Sequence, residues 1–408
     1  MKKLSRLSLT TAILLAGTSQ AALALEANVF ADRLVDTSRV MGVAFTYGSA
    51  TAEGDTVTIT DFTIAIPGED DVEIPGDVVF TGVVETAEGG FTVERAAIAD
   101  IEYTDEDEGI TFNLVDIAAE GLELPAEVNV DSMVDIGFNL YDRIAAGPLS
   151  VSDAQGEEMF AIELMEITVD EPAEDGGIRS AYQVTGIHAD LTNIDEPDVQ
   201  EMFEALELTA LNASMSGSGT WWPETGEGTI EDASLVIDNI GSIATSVAVE
   251  GYTEELYTEL MKLNLKMAEI AEADIEIDDD QMMELSEAMM APMAELKLVN
   301  ASLRYDDNSL FMKVLDFIGA EQGVDGETFK AGLQFMVPMA LAEVENAAFK
   351  TMVTNAVNSF IEDPQNFTIS VEPDAPIAFS EFEALEDEIE ADPFILVERL
   401  NVQITANQ

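Results

Sequence analysis

Residues 301–371 read ASLRYDDNSLFMKVLDFIGAEQGVDGETFKAGLQFMVPMALAEVENAAFKTMVTNAVNSFIEDPQNFTISV. Apolar residues alternate at both ends of this stretch and recur at helical spacing in its middle. A strand over 298–305 reaches a turn at Asp306-Asp307-Asn308. The helix after it puts Leu310, Val314, Leu315, Phe317 and Ile318 on one face and stops at Gly323. Asp325 opens a longer helix, predicted to run to Ile361, and Asp363-Pro364 ends it before a strand over 367–371. The punctuation is physical. Asn or Asp caps free N–H groups, Gly takes a left-handed angle, and Pro cannot continue a helix. Strand, paired helices and strand in succession point to a sheet with helices inserted between its strands.

Working outward, the last strand is expected over 401–406, after an acidic segment at 381–390. Upstream, Leu256, Leu260, Leu263, Met267 and Ile270 make a helical stripe over 253–271. An acidic loop follows at 274–280. A methionine-rich helix over 281–291 then carries Met282, Met283, Met289 and Met290, read as an ordinary helix-to-sheet contact. Before these, the period is mostly two. Strands are expected over 56–66, 78–84, 91–94, 97–103, 110–115, 158–169, 180–191, 208–216, 228–237 and 243–249. Helices are expected over 26–41, 130–146 and 197–206. Gly217-Ser218-Gly219 reads as a hinge before Trp221-Trp222, a pair that suits a core plug at a strand start better than a ligand clamp. The fold class is α+β: a long, mostly antiparallel sheet interleaved with amphipathic helices, helix-rich in its C-terminal third. Residues 25–250 are the β-rich region, and 251–408 are expected to complete the same sheet.

The N-terminus gives an address. Lys2, Lys3 and Arg6 precede a short apolar core, and Ala22-Leu23-Ala24 suits a signal peptidase, so residues 1–24 read as a signal peptide. No later segment approaches the roughly 18 apolar residues of a spanning helix. A periplasmic or secreted location is expected, with no transmembrane segment after cleavage. With no cysteine, disulfides, thiol catalysis and thiolate metal sites are all absent. The chain has 16 basic and 82 acidic residues, a net charge of −66 that becomes −69 when the three leader cations are removed. Such a surface repels nucleic acid and anionic headgroups. Hydrophobic residues still make up 47% of the chain, too many for an acidic disordered tail.

The available chemistry is narrow. His188 is the one histidine, so a two-histidine metal site is impossible, and no G-x-S-x-G elbow accompanies it. It reads as a structural or surface histidine. Calcium is the metal that suits carboxylate-rich loops. Its candidate ligands are Asp105, Asp107, Asp278, Asp279 and Asp280, although none sits in EF-hand spacing. There is no P-loop and no dinucleotide fingerprint, and 82 acids make any carboxylate pair uninformative.

Three segments carry a resemblance: LRYDDNSLFMKVLDFIGAEQGVDGETF from Leu303, FIEDPQNFTISVEPDAPIAF from Phe360, and DPFILVERLNVQITAN from Asp392. They resemble the C-terminal part of exported proteins of alphaproteobacteria and, more faintly, the β-rich periplasmic AsmA-like group. The resemblance implies an envelope location, a sheet interleaved with helices, and an association with envelope maintenance and lipid movement. It carries over no catalytic residue. The expectation is an exported, highly acidic, non-enzymatic envelope protein that binds or scaffolds a partner protein, a lipid or another hydrophobic ligand, without a cofactor. The alternative is a calcium-binding secreted or surface protein. A contiguous exposed apolar groove favours the first, and three or more converging carboxylates favour the second.

Overall fold

The computed structural model describes residues 25–41, 43–65, 72–105, 109–128, 140–192, 197–272, 283, 287–288, 290–342, 344–384, 392 and 394–408. Helix α1 (Ala27–Val40) is followed by β1 (Ala44–Thr46), β2 (Ser49–Glu53), β3 (Thr56–Thr60), β4 (Thr63–Ala65), β5 (Val72–Glu73), β6 (Val78–Thr81), β7 (Val84–Glu85) and β8 (Phe91–Ile98). Next come β9 (Ile101–Thr104), β10 (Thr111–Leu114), β11 (Ala118–Leu124), β12 (Arg143–Ala146), β13 (Leu149–Ser152), β14 (Glu158–Ile162), β15 (Leu164–Val169) and β16 (Ile178–Asp190). Helix α2 (Pro197–Ala205) precedes β17 (Ala210–Trp222), β18 (Glu227–Ile237) and β19 (Gly241–Glu250). Helix α3 (Glu254–Glu272) leads to β20 (Lys297–Asp307), α4 (Leu310–Glu321), α5 (Gly326–Ala340) and α6 (Ala347–Glu362). The chain closes with β21 (Asn366–Val371), β22 (Ile377–Ala378), α7 (Phe379–Ala384), α8 (Phe394–Arg399) and β23 (Gln403–Ala406).

This is the expected α+β architecture. The main sheet runs in the order β2-β3-β6-β8-β11-β12-β15-β16-β17-β18-β19-β20-β21-β23, antiparallel throughout. A branch β9-β10-β13-β14 lies beside it and joins through β16. Among the described residues these pairings form no ring, and none joins β2 to β23, so the ladder of described strands is open. A separate small sheet has the order β1-β4-β5. Because β19 pairs with β20 along its length, the C-terminal strands continue the ladder begun upstream.

Helices cover the apolar face at its ends. Fully buried Phe30 of α1 packs edge-on against Phe80, with ring centroids 5.0 Å apart, and against Phe91 at 5.4 Å. Val57, Ile59, Val93 and Leu122 complete that cluster. Val40, at the end of α1, meets Ile178, Trp221 and Tyr257 of α3. At the far end, Phe311, Phe360, Phe367 and Tyr305 make a chain of edge-to-face contacts that seats α4 and α6 on β20 and β21.

Several local expectations are corrected. The run 56–66 is two strands in different sheets, because Asp61 turns the chain at φ +52°, a left-handed angle that a short Asp side chain tolerates. The strand expected over 158–169 breaks at Glu163, where β14 gives way to β15. Conversely, the strand at 91–94 runs on through Glu94 to Ile98. The helix expected over 130–146 falls partly outside the described residues, and its end, Arg143–Ala146, is a strand paired with β11 and β15. Asp306 and Asp307 belong to β20 rather than to a turn. The long helix from Asp325 is two helices: α5 ends at Ala340, and α6 starts afresh behind an Asn346 cap whose side chain accepts from the Phe349 amide.

Candidate ligand-binding face

Directly opposed residues of an antiparallel ladder share a face, so the pairing can be read as rows. One row is Ala146, Met165, Val184, Met215, Leu235, Ile243, Tyr305, Phe367 and Ala406, across nine neighbouring strands. It contains no charged residue. The row displaced by one position, on the other face, is Ala145, Glu166, Gln183, Ser216, Ser234, Ala244, Arg304, Thr368 and Thr405. Two further apolar rows lie to one side of the first: Ile144, Ile167 and Tyr182, and beyond it Ile230, Val247, Ala301 and Val371. Between the helix-covered ends this face is open among the described residues. Ile167 is 44% exposed, Ile230 47%, Ile243 48% and Leu303 49%. Isolated exposed aliphatics are ordinary, but contiguous rows of them mark an interaction surface.

A hollow of about 590 Å³ opens on this face, walled by Ile167, Ile178, Tyr182, Trp221, Ile230, Val247, Val249 and Tyr252. Its floor is Ser180, Gly217, Gly219 and Gly228. The volume is in the range of small-ligand sites. Gly217 makes room for a ring, since a Cβ there would lie 2.5 Å from Cε1 of Tyr182. Trp221 donates its indole N–H to the Tyr252 carbonyl, so it presents only apolar ring surface to the hollow. Its ring stacks at a tilt on Tyr257 at 5.1 Å and on Tyr252 at 5.4 Å. Burial raises the phenol pKa of Tyr252 and Tyr257, keeping both neutral at ordinary pH.

The reverse face carries a charge ladder. Arg95 binds Glu120 at 2.6 Å, Arg143 reaches Glu120 at 3.3 Å and also bonds Glu166, and Gln183 donates to Glu166. The Arg143 bond first, and the Gln183 bond second, hold the Glu166 carboxyl below its usual range. Scarce cations are thus spaced between acids that would otherwise repel.

Of the expected calcium ligands, Asp105 closes a turn after β9: its amide donates to the Ile110 carbonyl and its carbonyl accepts from Gly109, both at 2.8 Å. Asp107, Asp278, Asp279 and Asp280 lie outside the described residues. Among the described residues, no three His, Cys, Asp or Glu side chains are grouped to hold a metal ion. His188 lies on the polar face, its Nδ1 2.9 Å from Asn212 Oδ1. The neighbouring Asp190 carboxyl is held low by the backbone N–H and hydroxyl of Thr192, with His188 contributing less.

Two readings change. Gly217-Ser218-Gly219 is no hinge but the middle of β17, paired throughout with β16, while the pairing with β18 shifts register between Ser216 and Gly219. The signal was present, because Met215, Gly217, Gly219 and Trp221 alternate with Ser216, Ser218 and Thr220 in strand period. Trp221 is buried as a plug, but at the end of its strand and as one wall of the hollow. Met283, Met290 and Met293 are exposed, so the methionine stripe is not a helix-to-sheet core contact at those positions.

Among the described residues no helix is long and apolar enough to cross a membrane. Residues 234–407, from β18 to β23, match a family model whose description is "Uncharacterized protein". Comparison with curated proteins gives no match.

Proposed function

We propose that this is an exported, acidic, non-enzymatic envelope protein that holds a lipid or other hydrophobic ligand with an extended aliphatic part on the open middle of its sheet face. One observation carries the reading: an apolar row without a charge crosses nine neighbouring strands in a chain of net charge −66, and among the described residues it is exposed to solvent in its middle, at Met215 and Ile243. Each methylene moved from water onto such a surface contributes up to about 0.8 kcal/mol when fully buried. An aliphatic chain therefore gains binding energy in proportion to its length. It asks for no hydrogen bonds, and the face offers few. A polar headgroup stays in solvent, away from the acidic surroundings if it is anionic.

The test is saturable binding of a fluorescent fatty-acid probe, together with mass spectrometry of organic extracts of the purified protein. Ile167→Asp and Ile243→Asp replace half-exposed side chains, so the fold should survive, as circular dichroism would check. The expected outcome is at least a tenfold loss of probe affinity in the double variant. Unchanged affinity, or no saturable binding by the parent protein, would sink the reading.

A further inference from the structure

Helix α5 shows the wrong face to water. Every exposed position from 331 to 342 is apolar, and the largest are Phe335 at 76% exposure, Met336 at 59% and Met339 at 67%. Lys330 and Gln334, which an ordinary surface helix would turn outward, are half-buried. Lys330 is also the only charged residue between 328 and 342, in a chain of net charge −66. Exposed apolar area and local neutrality therefore coincide on one helix. The strip is continuous with the sheet face as well. Met336 and Val337 line an apolar hollow of about 400 Å³ with Phe360 and Phe367, and Phe367 stands in the nine-strand row.

We propose that this strip of α5 is a membrane-contact surface, which sets the end of the apolar face against an uncharged, zwitterionic bilayer. The contact stands on the α5 geometry; its purpose, passage of a hydrophobic ligand between bilayer and sheet, rests on the function proposed above. Neutrality selects the occupant. A second copy of the chain would bring a like charge of −66 to the same surface. A protein partner would ordinarily find polar groups for a hydrogen-bonded rim, and the exposed positions of the strip offer no polar side chain. A phenylalanine with two methionines on the outer side of a helix suits insertion at the headgroup–acyl boundary. An anionic bilayer is disfavoured by the rest of the molecule.

The experiment is flotation of the processed protein with phosphatidylcholine vesicles and with vesicles containing phosphatidylglycerol, at low and high salt. Expected are flotation with the neutral vesicles and weaker flotation with the anionic ones at low salt, recovering as salt screens the charge. The Phe335→Ser/Met339→Ser variant should bind neutral vesicles at least tenfold more weakly while still binding the fatty-acid probe. Ile243→Asp should float as the parent protein does. Absence of flotation with neutral vesicles overturns the proposal, as does equal flotation of the double variant. Concentration-dependent self-association that the double variant abolishes, without vesicle binding, overturns it in favour of a second copy. Loss of probe binding with flotation intact would overturn only the ligand reading.

Discussion

Arg143 is the residue on which the polar face depends. It stands between Glu120 and Glu166, and its side chain is 33% exposed against 16% for Glu166. Glu166 is charged because Arg143 and Gln183 bond its ionised form, which lowers its pKa from the ordinary 4.5. The sign follows from linkage. A carboxyl whose folded pKa is depressed contributes stability that is present above the unfolded pKa and is lost as pH falls through the folded one. Glu166→Gln should therefore lower stability by on the order of 1 kcal/mol at neutral pH. The gap to the parent should begin to narrow as pH falls below the ordinary 4.5 and close only below the lowered folded value. Urea unfolding midpoints at pH 7 and pH 3.5 check this. A gap that persists unchanged in acid would mean that the carboxylate charge contributes nothing.

At the scale of elements, the α5–α6 break shows how much a cap decides. Asn346 accepts from the Phe349 amide at 2.9 Å and starts α6 after the chain has left α5. Asn346→Ala should cost about 1 kcal/mol, read as a lower thermal midpoint with little change in helix content. Asn346→Asp, which keeps the acceptor, should retain most of the stability. A full loss in Asn346→Asp would assign the effect to something other than the cap. In the sequence this cap was hidden because apolar residues recur at helical spacing on both sides of it. Strong periods were legible: α1, α3 and the long strands β16, β18, β19 and β20 lie close to where the pattern put them, whereas β17 runs on to Trp222 through the glycines read as a hinge. Short segments were not. Arg143–Ala146 is four residues, and four residues fit a helix or a strand equally well. The face of the candidate site was legible as period-two alternation, but its bareness was not. Alternation marks which side of a sheet is apolar and says nothing of how far the helices reach across it. Nor could it show that the two glycines of β17 make the floor of a hollow, because that depends on Tyr182, which arrives from the neighbouring strand.

At the scale of the whole molecule, the charge and the open sheet meet. A net charge of −66 repels itself in the compact state, and the repulsion is spread over a surface that one ladder of arginines relieves only locally. Screening length falls to about 10 Å at 0.1 M salt, shorter than most separations across such a molecule. The thermal midpoint should therefore rise with ionic strength by an amount set by ionic strength alone. Measured in sodium, magnesium and calcium chloride at matched ionic strength, against an EDTA control, the three curves should coincide. Calcium is the informative arm. A ligand that binds only the folded state stabilises by about 2.7 kcal/mol at a hundredfold excess over its Kd. A rise specific to millimolar calcium would therefore stand clear of screening. It would turn attention to Asp105, Asp107, Asp278, Asp279 and Asp280, where Asn substitutions should remove the calcium-specific part and leave the common rise untouched. Coincident curves would leave the acidic surface as a hydrated coat. Such a coat lets a chain with a bare apolar face stay dispersed, because two molecules approaching face to face must first overcome their like charge.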